Sequence, residues 1–386
     1  MKLSKESRNC ARVSIIVPTY NRAQFLPAAI DALLPQIAGD DEIVVVVDGS
    51  TDETMDVLSR YGDRISVLNQ ENAGKARALN VGLQQSTGQY VWIVDDDDIV
   101  CPTALSDLLR VFEADPSTDI AYGRYVRFQH ELDTPARFLD TGYWTDCSPD
   151  DFLIATLEDF FVHQPGMLVR RRLYEAAGPF DEALPRSVDY DMLIRLSLLG
   201  RATSTRNIIF HQRLHDGDRG PAASRFQAHR RNQNWISNDA LIFDRLHQTL
   251  PLAEYLPTRR IESAEERRRA LLQRGAIMAR KKRWDVAITD FGHAMEESRS
   301  ALTGHEKRIL RRATGSKYDC DEVFGNAAID EGLRALSRRY PSGREVARSL
   351  ARGLVWRARD AATRGELTRS SRIARQACRW AATAWG

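Results

Sequence analysis

Short, uninterrupted apolar runs alternate with amphipathic stretches through the first half of the chain. Val13-Ser14-Ile15-Ile16-Val17 is a β-rich run closed by Pro18, and Ile43 to Val47 is apolar at every position. A run of the second kind is expected of a strand covered on both faces. Ile65 to Leu68 and Tyr90 to Val94 repeat the theme. Between these runs, Gln24–Leu34, Asp52–Arg60, Lys75–Gln85 and Pro102–Glu113 have helical character, and Ser50-Thr51-Asp52-Glu53 predicts a capping box for the second of them. Strand and helix alternating at this spacing predict an α/β, Rossmann-like fold: a mostly parallel sheet with flanking helices.

From Thr134 to Phe161 the pattern is irregular and aromatic, with Phe138, Tyr143, Trp144 and Phe152. Met167–Arg170 then reads as a strand and Asp189–Leu199 as an amphipathic helix stopped by Gly200. Beyond about Asn238 the strands fade and helix formers dominate, with Pro251, Pro257 and Thr258 marking a linker. The expected organisation is a polar tail over 1–11, an α/β domain over 12–240 with halves meeting near residue 130, and an all-α domain over 241–386. Gly275, Ala287, Phe291 and Ala294 fit one tetratricopeptide-like helical hairpin near 271–298, small residues where the helices cross and Phe291 as the wedge.

Charge sharpens this division. Of the 55 Lys+Arg and 53 Asp+Glu in the 386-residue chain, residues 1–250 hold 26 and 36, and residues 251–386 hold 29 and 17. An acidic first part and a basic second part read as two units with different tasks. The Arg-rich segments Arg344–Arg359 and Thr368–Thr383 predict a face for an anionic membrane or a protein partner, or else the solvated side of a packed helical domain. Charge alone would admit nucleic acid, but no fold signature supports it, and none is expected as a partner. No stretch approaches the roughly 20 apolar residues of a membrane span, and Met1 to Arg12 lacks the apolar core of a secretory signal. Five scattered cysteines form neither metal-ligand spacing nor a disulfide framework. These features predict a cytoplasmic protein, peripheral at the inner membrane face if the basic helices meet lipid.

Candidate chemistry gathers where strands end, because ligands of such sheets bind at the carboxyl edge. Pro18-Thr19-Tyr20-Asn21-Arg22 follows the first strand, Asp48-Gly49-Ser50-Thr51-Asp52 the second, and Asp95-Asp96-Asp97-Asp98 the fourth, while Asn72-Ala73-Gly74-Lys75-Ala76-Arg77 precedes the third helix. Carboxylates are hard oxygen ligands suited to Mg²⁺ or Mn²⁺, which keep positions open for substrate phosphates. Taken alone, the acidic run reads as a solvated loop with one aspartate capping a helix.

In order and spacing, VSIIVPTYNR, VVVDGSTDET, NAGKARALNVGL and GQYVWIVDDDD resemble glycosyltransferase family 2 over about residues 12–215. The resemblance implies the GT-A fold and inverting, metal-dependent transfer from a nucleotide-diphosphate sugar, a UDP- or dTDP-sugar, to a glycan or lipid-linked hydroxyl in cell-surface polysaccharide synthesis. It places Asp95 and Asp97 as the Asp-x-Asp metal carboxylates, with Asp97 the most direct ligand and Asp98 an extra acid. Asp48 would pair with the nucleobase edge, where Val47 replaces the first acid of the family's usual pair. Thr19 and Tyr20, with Pro18 and Asn21 beside them, would contact base and ribose. Lys75, Arg77 and Asp96 would also face the nucleotide sugar. Asp189 falls in the role of general base although Val188 replaces the usual Glu, and Asp191 is the alternative. Arg213 would pair with phosphate oxygens and His215 would reach the metal or diphosphate. His163-Gln164-Pro165-Gly166 would line the acceptor side. Without the resemblance, Asp48 reads as an Asx-turn, Asp189 as a helix cap, and Lys75 and Arg77 as a solvated helix face. Two other readings stand beside this one: a nucleotidyltransferase, disfavoured by Thr19–Arg22 where a Gly-rich loop would stand, and a non-catalytic scaffold with a degenerate transferase domain. Gln227-Ala228-His229-Arg230-Arg231 departs from the Gln-x-x-Arg-Trp signature of processive synthases.

Overall fold

The computed structural model describes residues 12–129, 137–214 and 231–382. The chain divides into two compact units, Met1–Thr156 with Phe160–Arg231, and Leu157–Asp159 with Asn232–Gly386.

The first unit is built on one mixed sheet. Its strands are β1 (Val13–Thr19), β2 (Glu42–Asp48), β3 (Ser66–Gln70), β4 (Tyr90–Ile93), β5 (Ile99–Val100), β6 (Ile120–Gln129), β7 (Arg137–Thr141), β8 (Met167–Arg170) and β9 (Ala202–Arg213). The helices over this stretch are α1 (Leu26–Leu33), α2 (Thr54–Ser59), α3 (Lys75–Gln85), α4 (Ala104–Ala114), α5 (Phe152–Glu158), α6 (Arg171–Ala177) and α7 (Val188–Leu199). The sheet order is β3-β2-β1-β4-β8-β6-β9-β5, with β7 pairing to β6. The block β3-β2-β1-β4 is wholly parallel, as its apolar runs predict. From β8 onward the directions mix: β8 is antiparallel to β4 and β6, β9 is parallel to β6, and β5 is antiparallel to β9.

The parallel block is apolar because both faces are covered. Val13, Ile15 and Val17 share a core with Leu26, Ile30 and Leu33 of α1. Ile16 and Val46 take the opposite face, where a Cβ on Gly82 of α3 would lie 2.5 Å and 3.3 Å from their methyl groups. Only glycine lets α3 approach this closely. Pro18 does not close β1: the strand continues to Thr19, with Pro18 opposite Val46 and buried in the sheet. The expected capping box of α2 is replaced by a different arrangement. Asp52 accepts from the Thr54 amide at 3.1 Å and the Ala23 amide at 3.1 Å, while Ser50 Oγ accepts from the Asn21 amide at 3.0 Å. The cap residues therefore join two loops as well as starting a helix.

The second unit holds α8 (Arg231–Thr249), α9 (Ala264–Arg280), α10 (Trp284–Glu297), α11 (Gly304–Arg312), α12 (Ala327–Arg339), α13 (Gly343–Thr363) and α14 (Leu367–Ala382). Helices α9 and α10 pack against each other, and a Cβ on Gly275 would meet the Phe291 ring at 2.7 Å and the Ala287 carbonyl at 3.1 Å. Polar links hold the remaining helices. Arg268 and Glu306, each 1% exposed, form a two-pronged pair at 2.7 and 2.9 Å, and Glu306 closes a capping box with Thr303. Asp330 of α12 accepts from Gln376 and Trp380 of α14 at 2.9 and 2.8 Å. Among the described residues no helix is long and apolar enough to cross a membrane.

Candidate active site

The register aligns the ends of the central strands on one edge: Thr19 lies opposite Val47, Asp48 opposite Gln70, and Ile16 opposite Ile93. The loops leaving this edge are tied to one another. Asn21 takes a left-handed conformation (φ 52°), and its side chain accepts from the Thr51 amide at 2.7 Å. Asp48, 4% exposed, accepts from Gln70 Nε2 at 2.7 Å and from the Ala73 and Gly74 amides at 2.8 and 2.9 Å, while Asn72 donates to the Asp48 carbonyl at 3.0 Å. Asp48 thus fixes the loop that starts α3. Gly49 turns beneath it with φ 69°, where a Cβ would sit 2.6 Å from the Asn72 backbone nitrogen.

The acidic run emerges next to this loop. Lys75, the first residue of α3, donates to Asp95 Oδ1 at 2.5 Å. Burial disfavours the Lys75 charge, but Asp95, Asp189 and Asp97 more than offset it, so the ammonium holds its proton more tightly than an ordinary lysine. Asp96 is buried, and its carboxyl is pushed up to about 7 by burial and the Asp97 and Asp95 charges, against the pull of Thr19 and Arg22. Asp97 is half-buried. Asp98, 3% exposed, accepts from the Arg213 backbone amide at 2.9 Å, and Arg213 Nε donates to the Asp97 carbonyl at 2.9 Å. The Arg213 guanidinium lies 5.1 Å from the Phe25 ring centre and 4.6 Å from that of Phe128. Strand β9 therefore braces the acidic turn from below.

Across Lys75 stands the first turn of α7, led by Ser187 in a left-handed conformation. Asp189 is half-buried; burial raises its carboxyl above the ordinary carboxylate range, the Lys75 ammonium opposes this, and the Asp95 charge adds to it. Asp191 is 3% exposed and gripped by Arg195 at 2.8 and 2.9 Å. The loop before α7 is clamped by Asn80, which accepts from the Phe180 amide at 2.7 Å and donates to the Phe180 carbonyl and Glu182.

Comparison with known proteins bears on this arrangement. Residues 14–178 match the family described as glycosyl transferase family 2. An uncharacterized glycosyltransferase of Rickettsia felis is 31% identical over 209 residues, which are 53% of this chain and 35% of that protein. Chondroitin synthase of Pasteurella multocida is 28% identical over 207 residues, 53% of this chain and 20% of its own length. Both relatives extend far beyond the matched segment. The crystal structure of S. aureus TarS 1–349 shares the fold, with a TM-score of 0.51 at 17% identity over 88% of this chain and 90% of that one. Residues 14–178 are a glycosyltransferase family 2 domain.

Within this GT-A domain the sequence-predicted residues separate into groups. Thr19, Lys75, Asp95, Asp96, Asp97 and Asp189 gather at the carboxyl edge, joined by Arg22. Tyr20 is half-buried on the same loop. Three of them hold partners of their own. Asp191 is paired with Arg195. Arg213 is 3% exposed and braces Asp97 and Asp98. Arg77 turns to Glu182 at 3.5 Å, the loop before α7. Pro18 and Asn21 serve the backbone, one in the sheet and one between loops. His215 and Gln227–Arg230 lie outside the described residues. Sequence reasoning passed over Asn80 and Gln70 and gave Asn72 no role of its own; NAGKARALN contains two of the three, but their partners lie in distant segments. Among the described residues no three His, Cys, Asp or Glu side chains converge as a metal cluster.

Proposed function

We propose that this domain transfers a sugar, with inversion, from a nucleotide-diphosphate sugar to a hydroxyl of a glycan or lipid-linked acceptor. The observation that carries the reading is Lys75, whose ammonium interacts both with the acidic turn and with Asp189, a carboxyl raised by burial.

The residues present suit a divalent cation. Their donors are hard oxygens, Mg²⁺ and Mn²⁺ are commonly held by one or two carboxylates plus substrate phosphates, and the crowding that lifts Asp96 to about 7 is relieved by positive charge. Asp95 and Asp97 would hold it, and when bound it would neutralise charge on the departing nucleoside diphosphate. Lys75 supplies a second, permanent positive charge at the same place. Asp189 accepts the proton of the attacking hydroxyl, and its raised carboxyl is a stronger base than an ordinary aspartate. Attack from the face opposite the leaving group inverts the anomeric centre. The Thr19–Tyr20 loop beside Asp96 supports contact with the nucleoside, and Asp48 sets the floor beneath it. The UDP or dTDP preference, cell-surface polysaccharide as product, and a membrane or protein partner for the basic helices belong to the same proposal.

Calorimetric titration of UDP- and dTDP-sugars with Mn²⁺ tests it directly. Wild type and Asp189→Asn should bind alike, while Asp97→Ala loses the metal-dependent part. Turnover in Asp189→Asn equal to wild type would remove Asp189 as base, and no binding by wild type under any metal would leave a non-catalytic scaffold.

A further inference from the structure

Among the described residues of the first unit, one buried amide has both of its polar ends without a hydrogen-bond partner. Gln164 is 2% exposed, yet neither its Nε2 nor its Oε1 has a hydrogen-bond partner. A buried amide without partners carries the full desolvation penalty of both ends, and native structures tolerate this where a ligand or water completes the set.

Its surroundings say which ligand. Gln164 opens the short 3-10 turn Gln164–Gly166 that leads into β8. On one side this turn is tied to β4, because Trp92 Nε1 donates to the Pro165 carbonyl at 2.9 Å, three residues before Asp95. On the other side, His163 packs on Phe160 at 4.7 Å between ring centres, and Phe160 packs on Tyr190 at 5.1 Å, the neighbour of Asp189. The segment therefore runs from the carboxylates assigned to the diphosphate toward the carboxylate assigned to the attacking hydroxyl. The transferred sugar must lie between those two. The neighbouring His163 is engaged: its Nε2 meets Tyr125 Oη at 3.2 Å, and Tyr125 stacks on Phe210 at 5.2 Å. The Gln164 amide, by contrast, is unused.

We propose that Gln164 recognises hydroxyl groups of the donor sugar, its NH₂ donating to one oxygen and its carbonyl accepting from another. This deepens the proposed function and rests on it, and it assigns Gln164 to the donor sugar rather than to the acceptor side expected from the sequence. A carboxamide offers one donor and one acceptor side by side, which matches a pair of neighbouring hydroxyls and sets sugar selectivity without touching the nucleotide.

The test compares Gln164→Leu with wild type, using UDP-glucose, UDP-N-acetylglucosamine and dTDP-glucose, each against UDP or dTDP alone, with Mn²⁺. Because the side chain holds no structural hydrogen bond, Gln164→Leu should melt at or above the wild-type temperature; Gln164→Met provides a second apolar variant should leucine misfit. The expected result is an affinity loss of about tenfold for the sugar nucleotide that wild type binds, with nucleoside diphosphate affinity unchanged. Unchanged affinity for both, or an equal fall for both, overturns the assignment of Gln164 alone. Failure of wild type to bind any of the three sugar nucleotides overturns the site reading and this assignment with it.

Discussion

Replacing Asp48 by alanine tests whether the end of β2 is scaffold or recognition. The carboxylate accepts one side-chain and two backbone donors at 2.7 to 2.9 Å in a setting 4% exposed. Gln70 can turn to water in the variant, so the Ala73 and Gly74 amides carry most of the loss. With hydrogen bonds to a charged group at about 1.5–3 kcal/mol each and imperfect additivity, Asp48→Ala should cost about 2–4 kcal/mol. For a unit of this size that lowers the melting temperature by roughly 5–15 °C. Hydrogen exchange over the segment 70–76 gives the local readout, since freed amides at Ala73 and Gly74 exchange faster. Unchanged melting and unchanged exchange would refute the scaffold argument. Lost nucleotide affinity with unchanged melting would instead return Asp48 to the base-pairing role that the family resemblance implies.

The remaining expectations concern the two aspartates of α7, the pH response and the helical hairpin. Asp191→Asn weakens the Arg195 pair and should destabilise by about 1–3 kcal/mol in denaturant titration while leaving a measurable transfer rate, the reverse of Asp189→Asn. With Asp189 as the proposed base and its carboxyl raised, the transfer rate should climb with pH along an acid limb displaced above the ordinary aspartate range; a limb at or below that range would contradict the assignment. Gly275→Ala places a methyl 2.7 Å from the Phe291 ring, and overpacking of this kind costs about 1–3 kcal/mol, read as an earlier urea midpoint.

Where the sequence was legible, one strand explains its own pattern. The runs that became β1, β2 and β4 are buried on both faces, so each announces itself without reference to a partner. Strands β6 and β9 do not. IAYGRYVRFQ mixes Gly123, Arg124 and Arg127 into a strand, and ATSTRNIIFHQR is largely polar along its first half, because part of each faces solvent. Their identity comes from pairing with each other across about 80 residues. The same limit governs the site. Asp95, Asp97 and Asp189 could be named from motif order, but the separation of Asp189 from Asp191 depends on Arg195 one helical turn away. The bracing by Arg213 depends on β9, whose strand character the pattern hides. The sequence could name Gln164 only within His163–Gly166 on the acceptor side, since an amide without partners is a property of packing.

The hold of Arg213 on Asp97 and Asp98 has a consequence for how the protein matures. The four aspartates are synthesised early, but the residue that fastens their turn arrives more than a hundred positions later. A nascent chain stopped short of β9 would display the complete acidic motif without the geometry that makes it useful. Long-range closure of this kind is slow relative to local helix formation. Competence to grip a sugar nucleotide should therefore appear late in folding, together with the docking of β9 rather than with the parallel strands.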